Sequence, residues 1–185
     1  MICQDCPLQG RQVHGEGPVP CRFMLLGEAP GATEERTGRP FVGPAGAFLN
    51  VLLREASLSR EEVFITNVVK CRPPMNRTPD ADEIAACRPA LGEELAAVRP
   101  EVLVLLGATA VGQFLPGVSL KLHHGSPHRR GSLLLVPMYH PAAALHNPRL
   151  RATLLSDWRA LAEKLVRPDP SPTTCVDAIG AAWGD

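Results

Sequence analysis

The chain has 185 residues, 45% of them apolar and 21% charged, which is ordinary globular composition with room for one core. Nineteen basic and nineteen acidic residues cancel to a formal net charge of zero, without the basic excess common among nucleic-acid binders. No apolar stretch approaches the roughly 18 residues of a bilayer span, and Met1-Ile2-Cys3-Gln4-Asp5 lacks the basic start and apolar run of a secretory signal, so a soluble, cytoplasmic monomer is expected.

The first predicted strand is Arg22–Leu26, followed by Gly27-Glu28-Ala29-Pro30-Gly31, a segment rich in residues that let backbone approach a ligand. Arg39-Pro40-Phe41-Val42-Gly43-Pro44-Ala45-Gly46 leads into a helix with apolar positions at Ala45, Phe48, Leu49, Leu52, Leu53 and Ala56. The start of that helix offers free amides to an anion or a polar base edge. Phe41, one of only five phenylalanines in the chain, is a candidate stacking platform, and a core position is the alternative.

Val63–Asn67 is the second predicted strand, and it runs into Lys70-Cys71-Arg72-Pro73-Pro74. Asparagine at a strand end is often only a turn former. Its amide also carries both a donor and an acceptor, and so complements a pyrimidine edge. Asp80, with Glu83 three residues on, reads as a capping box opening a helix toward Arg99. Strand Val102–Gly107 and a short helix from Ala108 to Leu115 follow. Strand Ser132–Pro137 leads to His140-Pro141-Ala142-Ala143-Ala144-Leu145, and a last helix carries Leu150, Leu154, Leu155, Trp158, Leu161 and Leu165 as its stripe. From Arg167 to Asp185 periodicity fades, and a loose or weakly docked tail is expected after a single domain over 1–166.

Strands alternating with helices predict a three-layer α/β/α fold around a four-stranded, mostly parallel sheet. Ligands of such sheets bind beyond the carboxyl ends of the strands. Glu28, Asn67 and His140 all follow strand ends, so a carboxylate, a carboxamide and an imidazole are expected on one rim. His123, His124, His128, Arg129 and Arg130, with Arg149 and Arg151, form two basic segments that suit either solvated loops or a phosphate-facing surface.

The six cysteines of a reducing compartment call for something other than disulfides. Cys3-x-x-Cys6 is one pair, and Cys71 with Cys87 is a second, wider one. Zinc ribbons supply two close knuckles, whereas an iron–sulfur cluster takes thiolates spaced more widely; the spacing alone leaves both open. Cys21 at a strand start is expected to be simply buried, and Cys175 incidental.

Together, Gly27-Glu28-Ala29-Pro30-Gly31, Pro40-Phe41-Val42-Gly43, Asn67-Val68-Val69-Lys70-Cys71-Arg72-Pro73-Pro74 and His140-Pro141 resemble the motifs of family 4 uracil-DNA glycosylases. The resemblance runs in order from Cys3 to about Val166. It implies a 4Fe–4S cluster on Cys3, Cys6, Cys71 and Cys87, structural rather than redox-active, and a uracil pocket of Glu28, Phe41, Asn67 and His140. Glu28, Asn67 and His140 are its implied catalytic residues. Gly27, Ala29, Pro30, Gly31, Phe41, Asn67 and His140 are its implied substrate contacts. Elsewhere in the superfamily an aspartate in the first motif activates water; here Glu28 and Ala29 stand there. Met75-Asn76-Arg77-Thr78-Pro79 is short and lacks the histidine by which a related branch becomes trapped on DNA, so simple turnover is implied. The expected activity is hydrolysis of the glycosidic bond of flipped-out uracil in DNA, leaving an abasic site. An iron–sulfur electron carrier and a zinc-stabilised nucleotide-binding module are the alternatives.

Overall fold

The computed structural model describes residues 6–145 and 147–165. Cys3, His146, Cys175 and the expected tail lie outside the described residues. Five strands form one sheet: β1 (Phe23–Gly27), β2 (Val63–Asn67), β3 (Val102–Leu106), β4 (His128–Arg130) and β5 (Leu133–Met138), in the order β2-β1-β3-β5-β4. The helices are α1 (Ala32–Thr37), α2 (Pro44–Glu55), α3 (Ala81–Val98), α4 (Ala108–Phe114), α5 (Leu120–His123) and α6 (Pro148–Leu165).

The long strands are buried on both faces because their residues are apolar at successive positions, not alternate ones. Met24, Leu26, Leu103, Leu105, Leu133 and Leu135 face a core with Leu91 and Leu95 of α3 and Val111 and Phe114 of α4. Phe23, Leu25, Val102, Val104, Leu106, Val136 and Met138 face the opposite core, with Leu49 and Leu52 of α2 and Leu154, Trp158 and Leu161 of α6. The three expected layers follow from this two-sided burial.

The sheet has one strand more than the four expected. β4 pairs antiparallel with β5, matching His128 to Leu135 and Arg130 to Leu133. Its polar sequence hides it: an edge strand packs on one neighbour only and tolerates charge, which also discourages further pairing. Three of the residues read as a basic segment, His128, Arg129 and Arg130, are therefore strand residues. The other four strands pair in parallel, with Gly27 beside Asn67 and Leu106 beside Met138, which brings their carboxyl ends to a common rim.

The helix starts obey their local chemistry. Asp80 accepts from the Glu83 amide at 2.9 Å, and Glu83 accepts from the Asp80 amide at 2.9 Å, closing the capping box of α3. Pro44 opens α2 at a position where its missing N–H costs nothing. α1 and α5 are short helices without a sustained apolar stripe, and periodicity does not reveal them.

Candidate active site

A cavity of about 560 Å³ opens at the carboxyl rim of the sheet, walled by Glu28, Ala29, Pro30, Gly31, Phe41, Asn67 and His140, and lined also by Glu34, Asn76, Arg77 and Leu145. Every residue expected to contact substrate lies on this wall except Gly27, which lies beneath it. A Cβ at Gly27 would sit 2.4 Å from Asn67 Oδ1 and 2.5 Å from Phe41 Cζ. Glycine is required there so that the amide and the ring can lie side by side.

Phe41 is buried and held at φ 51°, a left-handed conformation unusual for a bulky residue. Two features impose it. Arg60 donates to the carbonyls of Phe41 at 2.9 Å and Pro40 at 2.5 Å. Gly46 of α2 comes so close that a Cβ there would be 1.9 Å from Phe41 O. The Phe41 ring lies 5.6 Å from that of His140, centroid to centroid.

Asn67 is 1% exposed, and its side-chain Oδ1 is buried with no hydrogen-bond partner. Native proteins rarely leave a buried acceptor unpaired. An acceptor on a cavity wall beside an aromatic face is chemistry waiting for a planar N–H donor.

At His140, the Ala142 amide donates to Nδ1 at 3.2 Å. That bond makes Nδ1 the acceptor and places the ring proton on Nε2. Burial pushes the ring's pKa down to about 4, against a weaker opposing pull from the Glu34 carboxylate. The imidazole is therefore a neutral Nε2–H donor at pH 7. Glu28 accepts from the Thr109 hydroxyl of α4 through Oε2, which fixes one edge of its carboxylate.

Immediately before the helix start expected to be free, two backbone amides are already taken. Glu34 of α1, a buried carboxylate, accepts from the amides of Val42 at 2.9 Å and Gly43 at 2.7 Å. The carboxylate at this helix entry is the protein's own, on the two residues that precede Pro44, and the helix dipole favours it there. Sequence reasoning missed Glu34 because it reads as one of two adjacent exposed-looking glutamates in Thr33-Glu34-Glu35. The signal available was an acidic residue a few positions before a Gly-Pro helix start.

Among the cysteines, Cys6, Cys71 and Cys87 are buried in the core beneath α3. The Lys70 amide donates to Cys87 Sγ at 3.4 Å. Cys21 shares that core, but its Sγ donates to the carbonyls of Phe23 at 3.2 Å and Glu62 at 3.3 Å, which suits the buried thiol expected. Among the described residues no three His, Cys, Asp or Glu side chains are grouped to hold a single metal ion. Of the basic segments, His124 pairs with Asp157 at 2.7 Å, Arg151 lies over the Phe48 ring, and Arg149 is exposed. Among the described residues no helix is long and apolar enough to cross a membrane.

A sequence model of the uracil DNA glycosylase superfamily matches residues 14–162. The chain is 42% identical over 176 residues to a type-4 uracil-DNA glycosylase of Saccharolobus solfataricus, covering 88% of this chain and 82% of that protein. It is 39% identical over 180 residues to a type-4 enzyme of Sulfurisphaera tokodaii, covering 90% and 81%. To one of Thermotoga maritima it is 44% identical over 163 residues, covering 84% and 85%.

Proposed function

The chain belongs to the uracil-DNA glycosylase superfamily and to its type-4 branch, and from that premise we propose that its rim cavity receives a uracil flipped from DNA and hydrolyses the N-glycosidic bond. It is a hydrolase of base excision repair. The observation that carries the assignment of the cavity is the orphaned, buried Asn67 Oδ1 beside Phe41.

Uracil offers an N3–H donor next to an O4 acceptor, the complement of an amide that presents Oδ1 and Nδ2. Cytosine presents the reverse pattern, so a fixed Asn67 discriminates between them, on a scale of about 1–3 kcal/mol per unpaired group. Phe41 supplies the stacking face. Extrusion costs a few kcal/mol of stacking and pairing. Leu145, which lines the cavity and is 43% exposed, is the apolar side chain placed to enter the vacated stack.

As the glycosidic bond breaks, its electron pair moves onto the base and positive charge develops on the sugar. The Nε2–H of neutral His140 donates to O2 of the departing uracil and stabilises its negative charge as an oxyanion hole does. Water then adds to C1′ and gives up a proton that ends on the departed uracil anion, leaving neutral uracil and a hydroxyl at the abasic sugar. Glu28, oriented by Thr109, holds that water. Among the described residues no lysine lines the cavity to serve as a Schiff-base nucleophile, so the reading is hydrolysis without strand cleavage.

The cysteines fit a 4Fe–4S cluster: Cys6, Cys71 and Cys87 are buried in one core, and Cys87 receives a backbone N–H. With Cys3 they would hold it, and its contribution when bound is structural, tying the chain's start to β2 and α3. An electron carrier would not need Asn67 and His140 at the rim, and a nucleotide-binding module would keep the cavity without hydrolysis; the family match favours neither. His140→Ala and Asn67→Ala are each expected to lower uracil release by about 10²–10³ with the fold retained. Wild-type rates in both would remove the assignment of the cavity.

A further inference from the structure

Lys70 is 1% exposed and plays no part in the chemistry above. Its ammonium group makes three hydrogen bonds, to Thr66 Oγ1 at 2.7 Å, to Asn67 O at 2.7 Å and to Glu94 Oε2 at 2.6 Å. Glu94 in turn accepts from Thr66 Oγ1 at 2.7 Å and from the Gly15 amide at 2.8 Å. A buried ion pair of this kind is weak evidence for stability, because desolvating both charges offsets most of their attraction. Its geometry says more than its energy.

β2 lies at the edge of the sheet, with β1 on one side only. On its outer side, Ile65 exchanges both backbone bonds with Glu16. Asn67, two residues on, presents its backbone to the same outer side, beyond this pairing. The Lys70 ammonium occupies the position of the missing strand and takes the Asn67 carbonyl. Without it that buried carbonyl would lack this partner, and the end of β2 would lose its anchor just where the base-reading side chain is mounted. The Lys70 amide also donates to Cys87 Sγ, so one residue spans the reader and the thiol core.

Resting on the uracil-reading assignment of the cavity, we propose that Lys70 is a positioning residue that fixes Asn67 for base recognition. Lys70→Met alone removes one member of an ion pair and is expected to lower the melting temperature. In Lys70→Met/Glu94→Gln no unpaired charge is left, and glutamine still accepts from Gly15. That double variant is expected to recover most of the melting temperature while its KM for a uracil oligonucleotide stays about tenfold raised, with kcat less affected. Adding Asn67→Ala to it should cause no more loss than Asn67→Ala alone, the non-additivity of two residues acting through one contact. Glu94→Gln by itself keeps the lysine on Asn67 O and should leave KM unchanged. A wild-type KM in the stabilised double variant, full additivity with Asn67→Ala, or a raised KM in Glu94→Gln would each overturn the proposal. The Asn67 side-chain amide resonance reports the same point without substrate. It should shift in the double variant while the His140 ring signals stay in place, and an unmoved Asn67 signal would overturn the proposal whatever the enzyme does to uracil. An inactive wild type with the expected Asn67 shift would instead remove the uracil assignment and leave the positioning role standing.

Discussion

At His140 two contacts decide a protonation state: the Ala142 amide claims Nδ1, and burial disfavours the cation. The folded ring ionises near pH 4 rather than at the ordinary 6.5, so the unfolded chain binds its proton first as pH falls. Stability from this site is therefore complete above 6.5 and is lost progressively between 6.5 and about 4. Denaturant titrations across that range should show the decline in the wild type and a flatter profile in His140→Ala. The same shift sets activity, since the neutral donor persists down to about pH 4. The acid limb of kcat for uracil release should fall there, and a limb centred on 6.5 would contradict the assigned protonation state. Asn67 and His140 were legible in the sequence as polar residues at a strand end and just past one. Their burial and the unpaired Oδ1 of Asn67 were not, because those depend on neighbours contributed by distant segments, and the tautomer of His140 was not, because it depends on the turn that brings the Ala142 amide back onto the ring. Glu34 was illegible for the same reason: Val42 and Gly43 become its partners only through the turn that Arg60 and Gly46 impose on Phe41.

The elements most legible in the sequence are those whose signals are local. The α3 capping box is such a case, and Asp80→Ala should destabilise the protein by about 1 kcal/mol in urea unfolding without changing KM. A cost near zero would mean that the Arg77–Glu83 pair, at 2.5 Å, holds the helix start alone. β2, β3 and α6 were likewise found from their runs and stripes. β4 was not, because three polar residues acquire strand character only when β5 is beside them. α1 has six residues, too few for periodicity to emerge.

Across the whole molecule, the sheet separates two cores, and the rim cavity lies where α2, α4 and the loop after β5 meet the strand ends. Trp158 of α6 is completely buried against the α2 side of the sheet, and Trp158→Ala should cost about 3–5 kcal/mol, read as a loss of melting temperature. The thiol core allows a sharper contrast. Cys87→Ser should abolish bound iron in anaerobically purified protein, whereas Cys21→Ser, whose sulfur serves two carbonyls, should retain it; equal retention in both would remove Cys87 from the ligand set. The central claim is that the cavity selects uracil and releases it from DNA. It is tested most directly by incubating the anaerobically purified protein with an oligonucleotide carrying one uracil and measuring the free base. Release of uracil, with none of thymine or cytosine from matched oligonucleotides and an alkali-labile site left behind, is the result expected. Absence of free uracil from both single- and double-stranded substrates, with iron still bound, would contradict it.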